Sequence, residues 1–113
     1  MRILSVDWLN DIERLIKVYA QAKANRVYLE EFRKSKKALL MRQAESEDPV
    51  RYKTGSSQEA YAYSHPDYLA LLEGLQAATE DEEKHRWNLR QREWKFEQWR
   101  TEQATARAEM NLR

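Results

Sequence analysis

The sequence predicts an all-α protein of two long antiparallel helices, a coiled-coil-like hairpin, with a short helix in the connection. Three observations predict this fold class. Only two glycines and two prolines occur in 113 residues, too few for the turns of an all-β domain. Apolar residues recur at helical spacing in both halves of the chain. Acid–base pairs spaced four residues apart, such as Glu13 with Lys17, support helices locally.

The first helix is expected over residues 6–45. Ser5 is a suitable N-cap, and Asp7 in the first turn meets the helix dipole. Apolar residues follow the helical period except from Arg33 to Lys37, where polar residues fill apolar positions. Two interpretations stay open there: a break in the helix or a partly exposed segment, or long Lys and Arg stems that cover the edge of the apolar seam. We favour the second.

Residues 46–65 are expected to form a loop and a short helix, which Ser56 or Ser57 would cap. The third helix is expected over residues 66–111, because Pro66 is favoured in a first helical turn. Its apolar residues alternate in steps of three and four, which places one seam along the helix. The seam residues expected to form the core or an oligomer contact are Leu71, Leu75, Leu89, Phe96 and Trp99.

The positions of two tryptophans predict a second apolar face on the third helix. Trp87 and Trp94 are one heptad apart and lie about 200° around the helix from the seam positions Leu89 and Phe96. The third helix therefore has a second apolar face, and assembly into a four-helix or larger bundle would cover it. We expect a homo-oligomer whose protomer is a single helical domain, residues 1–113.

A net charge of +1 hides segregation of charge along the chain. Residues 14–42 carry nine basic and two acidic side chains, and residues 80–83 are all acidic. Within an antiparallel hairpin the acidic cluster would neutralise part of the basic stretch, which is the favoured interpretation. The alternative is a basic surface that follows a phosphate backbone while bases stack on tryptophan. The candidate contacts for nucleic acid or another partner are Arg33, Lys34, Lys36, Lys37, Arg86, Trp87, Arg90 and Trp94, and the candidate acidic partner surface is Glu80, Asp81, Glu82 and Glu83.

No arrangement of residues predicts catalysis. Glu82 and His85 have the Glu-x-x-His spacing of di-iron bundles, but such a site needs two of these motifs and two further Glu. Ser64 and His65 are adjacent, which is poor geometry for a nucleophile and its base. Without Cys or a Gly-rich phosphate loop, we expect a non-enzymatic protein with no cofactor, metal or small-molecule substrate. No apolar run is long enough to span a membrane, so a cytoplasmic location is expected.

Three stretches of the sequence carry a resemblance to a known group of proteins. They are residues 24–41 (ANRVYLEEFRKSKKALLM), 65–72 (HPDYLALL) and 99–110 (WRTEQATARAEM). Together they resemble small helical proteins of tailed bacteriophages and prophages, whose genes often lie among genes for DNA metabolism and recombination. The resemblance implies a protein of the bacterial host cytoplasm and brings no catalytic residue with it.

Three functions remain open at this point. The first is a non-enzymatic phage accessory protein that binds DNA or another protein in phage DNA metabolism or recombination. The second is a small inhibitor of a host defence or nuclease complex, comparable to anti-CRISPR proteins, which acts by occluding a surface. The third is a structural or scaffold bundle. The first is favoured.

Overall fold

The computed structural model describes residues 2–112 and contains three helices, with no strand in that range. Helix α1 spans Val6–Glu47, α2 spans Gly55–Ser64 and α3 spans Pro66–Asn111. The predicted fold class, two long helices with a short helix between them, is confirmed. None of the three helices is long and apolar enough to cross a membrane, as judged over residues 2–112.

Two compact units make up the chain. The first unit contains Met1–Gln21 and Glu82–Arg113, and the second unit is Ala22–Asp81. Each long helix contributes to both units, whereas α2 belongs to the second unit alone.

The start of α1 is fixed by the expected cap. The Ser5 hydroxyl accepts a hydrogen bond from the backbone N–H of Trp8 at 3.1 Å and donates one to the Arg2 carbonyl at 2.7 Å. Leu4 has a φ of +67°, a region that residues other than glycine rarely adopt. The chain therefore enters the helix through a tight turn that Ser5 stabilises at both ends.

The basic stretch of α1 does not interrupt the helix. The helix is continuous through Arg33 to Lys37, and the side chains of Arg33, Lys36 and Lys37 are half-buried. Long aliphatic stems at these positions cover apolar surface while the charged ends reach water. The interpretation of a helix break is wrong. Lys34 and Ser35 are exposed, so the segment is partly exposed, and the half-burial of the other three side chains agrees with covering stems.

In the first unit α1 and α3 run antiparallel. Trp8 stacks on Phe96 with ring centroids 6.3 Å apart, and Asp11 pairs with Arg92 at 2.9 Å. As residue numbers rise along α1, those of the contacted residues on α3 fall, so the two helices are antiparallel. Trp8 and Leu15 are buried in this unit.

In the second unit the three helices meet at a small core. Leu40 of α1, Ala62 of α2 and Tyr68 of α3 are buried together. Partly buried apolar side chains pack around them; these are Met41, Tyr61 and Leu72. Leu40 is the largest fully buried side chain within residues 2–112, with 1% of its surface exposed.

Helix α2 begins at Gly55, two or three residues earlier than a cap at Ser56 or Ser57 implies. Thr54 is the N-cap: its hydroxyl accepts from the backbone N–H of Ser57 at 3.1 Å, and the Ser57 hydroxyl accepts from the Thr54 N–H at 3.3 Å. This reciprocal capping box satisfies two backbone donors at once. The prediction of Ser56 or Ser57 as the cap is wrong, because Ser57 is the third helical residue.

The seam of α3 follows the predicted spacing as far as Trp99. The five predicted seam residues are half-buried, and Tyr68 and Ala78 of the same seam are buried. From Arg100 to Leu112 every residue is exposed, so the seam ends where α3 has no helix packed against it. Gly74 is exposed, and a Cβ added there would meet no atom within 4 Å.

Candidate binding surfaces

An exposed aromatic pair lies on α3 in the first unit. Trp87 is 44% exposed and Trp94 is 56% exposed, and their ring centroids are 6.0 Å apart. Seven residues are close to two helical turns, so both rings project from the same face. That face is turned away from the seam, as the sequence predicted. Two large indoles held together in water form a surface of the kind that marks an interaction site.

Arginines flank this aromatic pair. The Arg86 guanidinium lies 5.0 Å from the centre of the Trp87 ring and donates to the Glu83 carboxylate at 2.7 Å. Hydrogen bonding to Glu83 raises the pKa of Arg86, so the guanidinium stays charged. Arg90 is half exposed and lies 4.0 Å from Glu93. The structure thus brings together four predicted contact residues: Arg86, Trp87, Arg90 and Trp94.

The other four predicted contacts lie in the second unit, where acids from outside the predicted cluster pair with three of them. Lys34 lies 3.2 Å from Glu31 of the same helix. Lys36 lies 3.6 Å from Asp67 at the start of α3, and Lys37 lies 3.2 Å from Glu59 of α2. Both lysines are mostly covered, with about a quarter of each side chain exposed. The two remaining members, Arg33 and Lys34, lie beside Lys37 at a cleft.

That cleft has a volume of about 340 Å³. Its lining consists of Arg33, Lys34, Lys37, Tyr63 and Tyr68. The two tyrosine rings pack edge to face with centroids 5.4 Å apart, and Lys37 Nζ lies 4.8 Å from the Tyr63 centroid. Hydrogen bonding with Tyr63 and with Glu59 raises the pKa of Lys37, so its ammonium group stays charged at neutral pH.

The acidic stretch is not a uniform surface. Glu82 is buried, with 7% of its surface exposed, because it occupies a seam position between Ala78 and His85. The assignment of Glu82 to an exposed acidic partner surface is therefore wrong. Glu80, Asp81 and Glu83 are exposed, and Glu83 is the residue paired with Arg86.

A tyrosine at the centre of a polar cluster ties α2 to α1. The Tyr61 hydroxyl accepts from Gln43 Nε2 at 3.1 Å and donates to Glu47 at 3.2 Å, and its ring packs edge-on to Tyr52. Burial, followed by hydrogen bonding to Glu47, raises the pKa of Tyr61. These contacts hold the second unit together and leave the hydroxyl engaged on both sides.

Ser64 and His65, the pair considered for nucleophilic catalysis, make local hydrogen bonds at the junction of α2 and α3. His65 Nδ1 accepts from the backbone N–H of Asp67 at 3.0 Å, which caps α3, and the Ser64 hydroxyl donates to the Ala60 carbonyl at 2.8 Å. Within residues 2–112 no group of three or more His, Cys, Asp or Glu side chains is placed to hold a metal ion.

Comparisons with known proteins give no relative from which a function can be transferred. No protein-family model, no curated protein and no solved structure matches the chain significantly. The surfaces described above are therefore interpreted from their own geometry.

Proposed function

We propose that the chain is a non-enzymatic accessory protein of a tailed bacteriophage, which binds single-stranded nucleic acid in phage DNA metabolism or recombination. The phage assignment rests on the resemblance of residues 24–41, 65–72 and 99–110 to small phage proteins. The observation that carries the binding function is the exposed Trp87–Trp94 pair with its flanking arginines.

Stacking of bases on the two indole rings is the main contribution of this surface to the free energy of binding. An indole ring accepts any base on its face, and each such stack contributes about 1–3 kcal/mol in proteins that bind unpaired strands. Trp87 and Trp94 lie on one helix face and are held by contact with each other, so little side-chain freedom is lost when a base stacks on them. Bases paired inside a duplex do not expose their faces, so this surface favours single strands.

Positive charge near the tryptophan pair makes the second contribution to the free energy of binding. Residues 84–113 carry eight basic and four acidic side chains. Arg90 follows Trp87 by three residues and precedes Trp94 by four, so it lies on the same helix face as the two tryptophans. A cation at this position meets the phosphate between two stacked bases and releases bound counterions from the strand.

A protein partner is the alternative occupant of this surface. Tryptophan and arginine are also enriched among the residues that dominate protein–protein interfaces. An inhibitor of a host defence or nuclease complex would use the pair in that way, and a scaffold bundle would cover it with another copy of the chain. All three functions place Trp87 and Trp94 at the contact, so only a binding experiment separates them.

The test is fluorescence anisotropy of a labelled oligothymidylate in low salt. We expect binding that weakens as salt rises, and we expect Trp87→Ala and Trp94→Ala each to weaken it about fivefold to a hundredfold. Leu69→Ala is the matched control, because Leu69 is a half-exposed apolar residue of α3 that belongs to the second unit. The control variant should bind like the parent chain.

Failure to bind the oligonucleotide in low salt would overturn the nucleic-acid function. Inhibition of a purified host nuclease complex by the parent chain, lost in Trp87→Ala, would then support the inhibitor. A high mass by light scattering that falls in the same variant, without either activity, would support the scaffold.

A further inference from the structure

The cleft of the second unit has the composition of a ligand site that the tryptophan pair does not explain. Three cationic side chains of α1 line one wall, and two tyrosines from the end of α2 and the start of α3 line the other. Positions 33, 34 and 37 lie within one turn of helix, so their side chains point to one side. No carboxylate is part of the lining among the residues that the structure describes.

The positive charge of the cleft is only partly compensated. Lys34 lies 3.2 Å from Glu31, and Lys37 lies 3.2 Å from Glu59. Arg33 makes no ion pair within residues 2–112. The Lys34–Glu31 pair is solvent-exposed, with 67% of each side chain exposed, and such pairs contribute only about 0–1 kcal/mol, so Lys34 can turn to a bound anion at small cost. A dianion such as a phosphate monoester would meet three cations at once.

Tyr63 and Tyr68 differ in exposure and therefore in their roles in the cleft. Tyr68 is buried and belongs to the core of the second unit, so it forms a fixed floor. Tyr63 packs edge-on to it and keeps 46% of its surface exposed. Tyr63 therefore presents an apolar ring beside the three cations, which is the combination that recognises an aromatic base joined to a phosphate.

We infer that this cleft binds the phosphate group of a nucleotide, with Arg33 and Lys37 at the phosphate oxygens and Tyr63 against the base. A volume of about 340 Å³ is at the lower end of the range for small-molecule sites, roughly 300–1,000 Å³. A free nucleotide and a nucleotide within a nucleic-acid chain share this chemistry. The inference goes beyond the proposed function, which uses residues of the first unit only.

The experiment follows the ring resonances of Tyr63 and Tyr68 by NMR in the full chain. The probes are inorganic phosphate, thymidine 5′-monophosphate, uncharged thymidine and an oligothymidylate. We expect thymidine monophosphate to shift both rings at concentrations where thymidine shifts neither. Arg33→Gln and Lys37→Gln should each weaken this binding about tenfold or more, because each removes a charge-assisted hydrogen bond. Lys53→Gln, an exposed lysine of the same unit, is the matched control.

The possible results separate clearly. An oligonucleotide that shifts the rings as the monophosphate does supports a nucleic-acid ligand, and one that leaves them unchanged supports a free nucleotide. Equal affinity for inorganic phosphate and the monophosphate would overturn the role of Tyr63 in binding the base. Rings that do not respond, or two glutamine variants that bind like the control, would overturn the site. If one variant fails to fold, the other still decides.

Failure of this inference is distinguishable from failure of the proposed function. All four tryptophans lie in the first unit, so tryptophan emission reports on that unit and the Tyr63 and Tyr68 rings report on the second. An oligonucleotide that quenches tryptophan but leaves both tyrosines unchanged supports the function and overturns a nucleic-acid ligand for the cleft. The reverse pattern overturns the tryptophan surface alone.

Discussion

Replacement of Leu40 by Ala tests whether the second unit is held together by its small core. Leu40 is 1% exposed, and Ala44 and Ala62 beside it are fully buried. Leu→Ala changes in cores cost about 2–5 kcal/mol, less where neighbours move into the cavity. Alanine side chains cannot extend into it, whereas the flexible Met41 fills part of it. We therefore expect a loss of about 3 kcal/mol.

Urea unfolding followed by circular dichroism measures this loss. With a urea slope of about 2 kcal/mol per molar, a loss of 3 kcal/mol lowers the midpoint by about 1.5 M. Leu39→Ala is the matched control, because Leu39 is the preceding residue of the same helix and is 54% exposed. Its free energy of unfolding should change by no more than about 0.5 kcal/mol.

Equal midpoints for the two variants would refute the packing described for the second unit. Both changes alter helix propensity by the same amount, so any difference between them comes from burial. If Leu40→Ala does not fold, Leu40→Met keeps most of the volume and should cost less than about 1.5 kcal/mol. A large loss in Leu40→Met would point to a fault other than a cavity.

Three further predictions concern single contacts and the end of α3. Hydrogen bonding to Arg14, then the charge of Arg92, lowers the pKa of Asp11. Asp11→Asn should therefore lower the free energy of unfolding above pH 3.8, and the difference from the parent chain should disappear as the pH falls below that value. Urea midpoints measured across about pH 2–7 check this. Thr54→Ala should cost about 0.5–2 kcal/mol through loss of the α2 cap, whereas Ser56→Ala should cost almost nothing in the same assay. Removal of residues 104–113, exposed throughout their described part, should leave the thermal midpoint within about 3 °C; a larger drop would show that they pack against something.

The course of the helices follows from the spacing of apolar residues. The period of three and four along α3 predicts burial at Ala78 and Glu82 alike, since the position within the heptad determines which side faces the neighbouring helix. Membership of the acidic run 80–83, by contrast, predicts that Glu82 is exposed. Periodicity was the better guide, because the seam is a property of the whole helix whereas charge clustering is local.

The partners of the basic stretch could not be predicted from the sequence. Lys37 pairs with Glu59, 22 residues away, and Lys36 pairs with Asp67 on α3. Such pairings depend on how the α2 connection folds back, and no local pattern encodes that path. Tyr63 was missed for a similar reason, since a single aromatic residue in a short helix leaves no periodic signal. The exposed Trp87–Trp94 face was predictable, because a repeat of seven places both rings on one side.

The open space around Gly74 means that the fold does not require glycine at this position. A close approach between helices would make a glycine obligatory, but a Cβ at this position meets nothing within 4 Å. Glycine in a helix interior costs about 1 kcal/mol relative to alanine, so α3 carries a weakness that its packing does not require. Backbone amides around Gly74 are therefore the ones expected to exchange fastest within this part of α3. The chain is thus below the stability that its own fold allows, and one methyl group would recover part of the difference.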